Sequence, residues 1–272
     1  MLKYFFPADA AMSLLSRLLK RLVVSEAIRI PFSNVVVNRH PDHGKPCHVA
    51  PPALGKSVSF NVSHQAGIVA LIAIPQETAE EVFDVGIDVV CPNERGELDR
   101  ILREKNKCQA FDGFVEIHAE VFSPNEIAAL KMPKTECEEV GWLDEEIERR
   151  LRRFYALWCL REAYVKMTGE ALLAEWLQKL EFRSYPVPHA VPEGWDEKKI
   201  GNPHQEDDGG GFEVWFKGKR VENVECRIVV VGSKYMVASA MRRKDMKPVD
   251  MEWSQLQEVS VEDVVRRCKE AL

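Results

Sequence analysis

Leu14, Leu15, Leu18, Leu19, Leu22 and Val23 recur at helical spacing with Arg17, Lys20 and Arg21 between them, which predicts an amphipathic helix with a buried stripe. A Pro-, Gly- and His-rich loop follows from Pro41 to Gly55. Two β-rich runs, Val58 to Val62 and Ile68 to Ile74, then flank the polar turn Ser63-His64-Gln65-Ala66-Gly67, and a third, Val82 to Val90, carries Gly86-Ile87-Asp88. Helical patterns cover Leu98 to Lys105 and Pro124 to Met132, and the strongest runs from Glu145 to Met167, with Leu151, Phe154, Tyr155, Trp158 and Val165 on one side and Gly169 as its stop. Strand character returns at Leu180 to Tyr185, an exposed loop is expected from Pro186 to Gly211, and strands follow at Phe212 to Phe216, Glu225 to Val231 and Tyr235 to Met241 before a last helix at Val261 to Leu272. Each half thus holds a helix and several strands, an order that permits an internal pseudo-repeat.

Composition narrows the function. With 272 residues, 46% of them hydrophobic and 29% charged, the chain can bury a sizeable core as one large domain or two lobes. A net charge of −6 offers no long-range attraction for nucleic acid, so none is expected as a partner. No apolar run approaches the roughly 20 residues of a membrane span. Asp9 and Glu26 argue against reading the basic helix as a transit peptide. Seven cysteines form no CxxC pair, which suggests neither zinc nor a disulfide framework, but reduced thiols in a cytoplasmic protein.

Four places could carry chemistry, each with a structural alternative. In Gly44-Lys45-Pro46 a turn holds a lysine as a fixed cation, or simply forms a surface turn. In Phe60-Asn61-Val62-Ser63-His64 a strand delivers a hydroxyl and an imidazole to its end, where His64 either meets a phosphate or caps the turn. Asp88 stands inside an apolar strand, a costly place for a carboxylate unless it is paired or binds a metal. Glu162 and Lys166 share a helix face one turn apart, the spacing of a common stabilising pair as well as of a site. Together they supply two carboxylates, two lysines and a histidine, a set suited to cleaving a nucleotide pyrophosphate with magnesium.

Asp9 to Val24, Gly44-Lys45-Pro46-Cys47, Phe60 to Gly67, Gly86-Ile87-Asp88, Phe122-Ser123-Pro124-Asn125-Glu126 and Trp158 to Gly169 occur in the order and spacing of the Sfp-type phosphopantetheinyl transferases, and the strands to Ser239 resemble that family's C-terminal half. The resemblance implies an α+β, pseudo-dimeric fold: an N-terminal lobe at residues 1–90 and a C-terminal lobe at 91–272, with coenzyme A between them. Lys45 and Pro46 would lie beside the adenine nucleotide, Asn61, Ser63 and His64 on its phosphates, and Ser13 where basic residues usually face the 3′-phosphate. Asp88 and Glu162 would hold Mg²⁺, Glu162 would take the proton from a carrier serine, and Lys166 would offset charge at the attacked phosphate. Val90 stands where many bacterial members have an acidic residue, leaving a water or backbone oxygen to complete the metal's shell. Members usually carry further chain before the stretch matching Lys3 to Phe6, so the N-terminal lobe is expected to lack its first strand and to bind coenzyme A more weakly.

The implied partners are apo carrier domains of fatty acid synthase, polyketide synthases, peptide synthetases or aminoadipate reductase. They would meet a surface around Pro92 to Glu126 with Arg100, Arg103, Lys105 and Lys107. A monomer is expected. Two other readings stay open: a non-catalytic coenzyme A or carrier-binding module, and an unrelated Mg²⁺-dependent nucleotidyl or phosphoryl transferase.

Overall fold

The structure, a computed structural model, describes residues 5–42, 44–48, 56–76, 83–131, 143–170, 174–185, 187, 212–249 and 253–272. The first helix, α1, spans Pro7–Ile28, with proline in its first turn and Arg29 closing it in the left-handed conformation. Its buried positions gather toward the C-terminal end at Leu22, Val24 and Ile28, whereas Leu14, which the apolar stripe had included, is 58% exposed. A two-residue ladder, β1 (Asn38–Arg39) with β2 (Pro46–Cys47), lies within the stretch read as loop. The hairpin β3 (Ser57–Gln65) and β4 (Ile68–Gln76) follows, with Val58 and Phe60 packed against Val24 and Ile28 of α1.

Next comes β5 (Phe83–Val90), then three short helices, α2 (Glu97–Leu102), α3 (Lys107–Ile117) and α4 (Pro124–Leu130). The long helix α5 (Leu143–Thr168) is followed by a small sheet of β6 (Leu180–Arg183), β7 (Glu213–Phe216) and β8 (Lys219–Arg220). A hairpin of β9 (Val224–Val231) and β10 (Tyr235–Arg243) precedes α6 (Val261–Glu270). The order helix, small sheet, long hairpin therefore occurs twice, as α1, β1–β2, β3–β4 and again as α5, β6–β8, β9–β10.

β5 hydrogen-bonds β10, with Asp88 opposite Ala238, so the strand that closed the N-terminal lobe in the sequence division forms one sheet with the C-terminal hairpin, in the order β5–β10–β9. Ile87 and Val89 face a cluster with Val229 and Val237, while Gly86, Asp88 and Val90 alternate onto the other face, toward α5. The main core is built on α5, where Leu151, Phe154, Leu157 and Leu160 meet Phe111, Val115 and Phe122. α6 straps the two halves together: Val264 and Cys268 pack against Leu22 and Phe32, and Arg267 pairs with Glu26 at 2.5 Å.

Three sequence expectations are corrected. α3 was not anticipated, and the helix expected from Leu98 to Lys105 ends at Leu102. Cys108 is disulfide-bonded, so the expectation of wholly reduced thiols does not hold; the other described cysteines are free. Apart from residue 187, the loop expected from Pro186 to Gly211 lies outside the described residues. None of the described helices is long and apolar enough to cross a membrane.

Candidate active site

β3 runs beside the free edge of β5, and its alternate side chains make the junction. Ser59 Oγ donates to Phe83 O at 2.6 Å, Asn61 Oδ1 accepts from the Ile87 N–H at 3.1 Å, and Ser63 Oγ donates to Asp88 Oδ1 at 2.8 Å. Strand periodicity explains the pattern: odd positions of β3 reach β5, while Val58 and Phe60 pack on α1. Each rung satisfies a buried polar group that would otherwise be costly.

The last rung opens into a cleft of about 1650 Å³, lined at one end by Ser63, His64, Asp88, Glu162 and Lys166. Asp88, 6% exposed, accepts a second hydrogen bond on the same Oδ1 from Lys166 Nζ at 2.6 Å, and Lys166 also donates to Ser63 Oγ at 2.8 Å. Lys166 therefore reaches across to β5 rather than along its own helix to Glu162, contrary to the simple reading of an i,i+4 pair. The Glu162 carboxyl is half-buried and has no hydrogen-bond partner among the described residues. Burial raises its pKa, the charge on Asp88 raises it further, and Lys166 offsets part of this.

Gly86 sets the spacing. A Cβ there would lie 2.0 Å from Ala163 O and 2.4 Å from Met167 N, so only glycine lets the backbone of α5 settle onto β5. Ala163 and Met167 directly follow Glu162 and Lys166, so this contact fixes how far both side chains stand from Asp88.

A buried ion pair holds the middle of α5. Arg161, with no exposed surface, pairs with Glu126 and donates to Leu177 O at 2.7 Å and Leu180 O at 3.1 Å. Glu126 also accepts from the N–H groups of Ser123 and Phe182, and Ser123 caps α4 in return. The Phe122-to-Glu126 motif thus anchors α5 from behind. Sequence reasoning assigned Arg161 no role, because its partner lies 35 positions away.

The remaining candidates lie apart. Lys45 is turned inward: its Nζ donates to Met167 O at the end of α5 at 2.9 Å and to Val85 O at 3.3 Å. Burial pushes its pKa down to about 8; Asp84 opposes this, and Arg242 and Lys244 add to it. Pro46 pairs with Arg39 in the β1–β2 ladder, and Ser13 is half-buried on α1; neither lines the cleft. His64 is exposed at the cleft edge, and Asn61 is buried on its β5 partner. The hairpin tip beside His64 is latched to the C-terminal half by Gln65 Nε2 to Glu94 at 2.6 Å and Tyr235 Oη to Ala66 O at 2.7 Å. Farther along the cleft stand the exposed Arg100, Arg103 and Lys105, with Tyr155 and Trp158 behind them, whereas Lys107 is engaged by Asp144 at 2.5 Å.

Two carboxylates from separate elements are hard oxygen donors of the kind Mg²⁺ takes alongside water and substrate phosphates. A half-buried Glu162 with no hydrogen-bond partner among the described residues, under the negative charge of Asp88, fits a cation there. No cage of three or more His, Cys, Asp or Glu occurs among the described residues, so such an ion would draw its other ligands from elsewhere. Val90 is buried in the main core and is no source of them.

A repeated helix-and-hairpin unit with an acidic and basic pocket at its seam defines an α+β protein. Residues 1–76 match the family model described as 4′-phosphopantetheinyl transferase, N-terminal, and residues 84–193 match that of the 4′-phosphopantetheinyl transferase superfamily. The chain is 37% identical over 264 residues to 4′-phosphopantetheinyl transferase 1 of Fusarium mangiferae, covering 97% of this chain and 80% of the relative. It is 35% identical over 271 residues to 4′-phosphopantetheinyl transferase A of Aspergillus fumigatus, covering 88% and 74%. A more distant relative, the L-aminoadipate-semialdehyde dehydrogenase-phosphopantetheinyl transferase of Mus musculus, is 28% identical over 189 residues, covering 68% and 50%. The chain belongs to the 4′-phosphopantetheinyl transferase superfamily, on its fungal side.

Proposed function

We propose that this chain transfers the 4′-phosphopantetheine of coenzyme A to a serine of apo carrier domains, releasing 3′,5′-ADP, with Mg²⁺ held by Asp88 and Glu162. The reading rests on one observation: Asp88, Glu162 and Lys166, from a strand and a helix packed backbone against backbone at Gly86, meet at the end of a cleft large enough for a nucleotide. Phosphoryl transfer draws its rate mainly from positioning and charge neutralisation, and these residues offer both.

In the reaction, the serine oxygen forms a bond to the pantetheine-bearing phosphorus, and the bond from that phosphorus to the oxygen of 3′,5′-ADP breaks. Glu162 takes the serine proton, directly or through water; its raised pKa brings the carboxyl closer to the range in which a base is effective. Lys166 places its ammonium against the negative charge that accumulates on the attacked phosphate. A divalent cation at the two carboxylates supplies neutralisation of the pyrophosphate. Ser63 orients Asp88 and Lys166 together through its hydroxyl. Ser63 and His64 contribute to the phosphate pocket, whereas Lys45, held on the carbonyls of Met167 and Val85, braces the end of α5. Acidic carrier helices suit the wall of Arg100, Arg103 and Lys105. The protein acts as a cytoplasmic monomer, and carriers of fatty acid, polyketide, peptide and aminoadipate chemistry are its candidate substrates.

The test is to incubate the protein with coenzyme A, Mg²⁺ and an apo carrier and to weigh the carrier. A gain of one phosphopantetheine is expected; coenzyme A binding without a gain would point to a non-catalytic module instead. Asp88→Ala and Glu162→Ala should each abolish the gain with the fold retained, and a fully active Asp88→Ala would overturn the metal assignment.

A further inference from the structure

We propose that Lys166 and the divalent cation compete for Asp88, so that the protein binds the cation tightly only once the pyrophosphate of coenzyme A has drawn the lysine away. The inference rests on the Asp88–Glu162 metal assignment made above and concerns how that site is loaded.

The contacts define the competition. Asp88 Oδ1 already accepts Lys166 Nζ at 2.6 Å and Ser63 Oγ at 2.8 Å. An ammonium at that distance is a strong, charge-assisted donor, and it holds one of the two oxygens of the carboxylate that a cation would share. Glu162 lines the same place, without a hydrogen-bond partner among the described residues and under the charge of Lys166, so one monocation serves two carboxylates. Adding a dication while the ammonium stays would leave the half-buried pocket with excess positive charge, where repulsion is poorly screened. The lysine must move for the dication to enter.

Lys166 has both the means and a destination. Its flexible four-carbon stem carries a compact charge with three donors, well suited to exchanging one anion for another. Ser63 Oγ, which accepts from the same nitrogen at 2.8 Å, keeps its own donor on Asp88 Oδ1, so Asp88 stays oriented when the lysine leaves. A bound pyrophosphate offers more negative charge than one carboxylate and restores the balance once the dication arrives. Cation and coenzyme A should therefore raise each other's affinity by the same factor, a coupling that for two linked sites is typically about 5- to 150-fold.

The experiment titrates Mn²⁺ by electron paramagnetic resonance into the wild type, Lys166→Met, Lys166→Gln and Lys166→Arg, each with and without coenzyme A and corrected for Mn²⁺ bound to coenzyme A alone. For the wild type, Mn²⁺ affinity should rise at least about tenfold with coenzyme A. Without coenzyme A, the Met and Gln variants should bind Mn²⁺ about tenfold more tightly than the wild type, with the coenzyme A effect correspondingly smaller, while Lys166→Arg keeps the wild-type pattern. Melting with and without Mg²⁺ gives an independent reading: the neutral variants should gain more stability from Mg²⁺ than the wild type does. Neutral variants that fold yet bind Mn²⁺ no more tightly than the wild type overturn the competition. If instead no protein binds Mn²⁺ with or without coenzyme A, it is the metal assignment itself that fails, and the competition with it.

Discussion

Gly86→Ala puts the packing argument at its sharpest point. The added Cβ would meet Ala163 O at 2.0 Å, Met167 N at 2.4 Å and Met167 Cα at 3.0 Å, all backbone atoms of α5 that no rotamer change can remove. To reach an ordinary contact of 3.4 Å from 2.0 Å, α5 would have to rise about 1.4 Å off β5. Overpacking costs roughly 1–3 kcal/mol where neighbours can adjust, and a rigid helix backbone puts this site at the upper end or beyond. At about 2–4 °C per kcal/mol for a chain of this size, the melting temperature should fall by roughly 6–12 °C. Activity should suffer more, because Glu162 and Lys166 ride on the displaced helix, and a misplacement of about 1 Å can cost around 10²-fold in rate. Differential scanning fluorimetry and the carrier mass assay measure the two effects. Gly113→Ala is the control: its Cβ would meet nothing within 4 Å, and alanine is the better helix former by about 1 kcal/mol, so stability should hold or rise. A Gly86→Ala protein with wild-type melting and transfer would refute the claim that close approach sets the site.

Two further outcomes follow from the buried charges. Glu126→Gln leaves Arg161 fully buried without its counter-charge and should cost about 3–5 kcal/mol in urea unfolding; a loss below about 1 kcal/mol would remove the pair as the anchor of α5. Lys45 has a folded-state pKa of about 8, below its ordinary 10.5, so the unfolded chain holds more protons between those values and stability should rise with pH across that window. Lys45→Met should flatten the rise in melting temperature above pH 8, and an unchanged slope would contradict the burial assigned to that amine.

The strand and helix that carry the candidate site were legible because each had a strong local period: β5 as an apolar run, α5 as a long helix with a wide buried face. Asp88 stood out for a physical reason, since a carboxylate in such a run needs a partner, and it has two. α3 was missed although Cys108, Phe111 and Val115 fall at helical spacing behind the N-cap Asn106, because Gly113 and the β-prone Phe114, Val115 and Ile117 blurred the pattern. Contacts between distant segments were beyond reach. Helical spacing alone joined Glu162 to Lys166, yet the lysine's partner lies 78 positions away, and the turn lysine Lys45 finds its acceptor 122 positions on.

The junction and the site prove to be one feature. Ser59, Asn61 and Ser63 form a single series along β3, and the first two spend their polar groups on the backbone of β5. Had that edge been joined by a backbone ladder, the side chains would have been free and the register set by main-chain bonds alone. Side-chain rungs instead hold β3 in a fixed register against the strand that bears Asp88, and the third rung ends on the carboxylate itself. Orientation of Asp88 is thereby tied to the alignment of the two halves, so any motion that slid the hairpin along β5 would turn Asp88 and Lys166 out of place together. The latches at Gln65 and Tyr235, one strand-end beyond Ser63, oppose that slide where it would matter most.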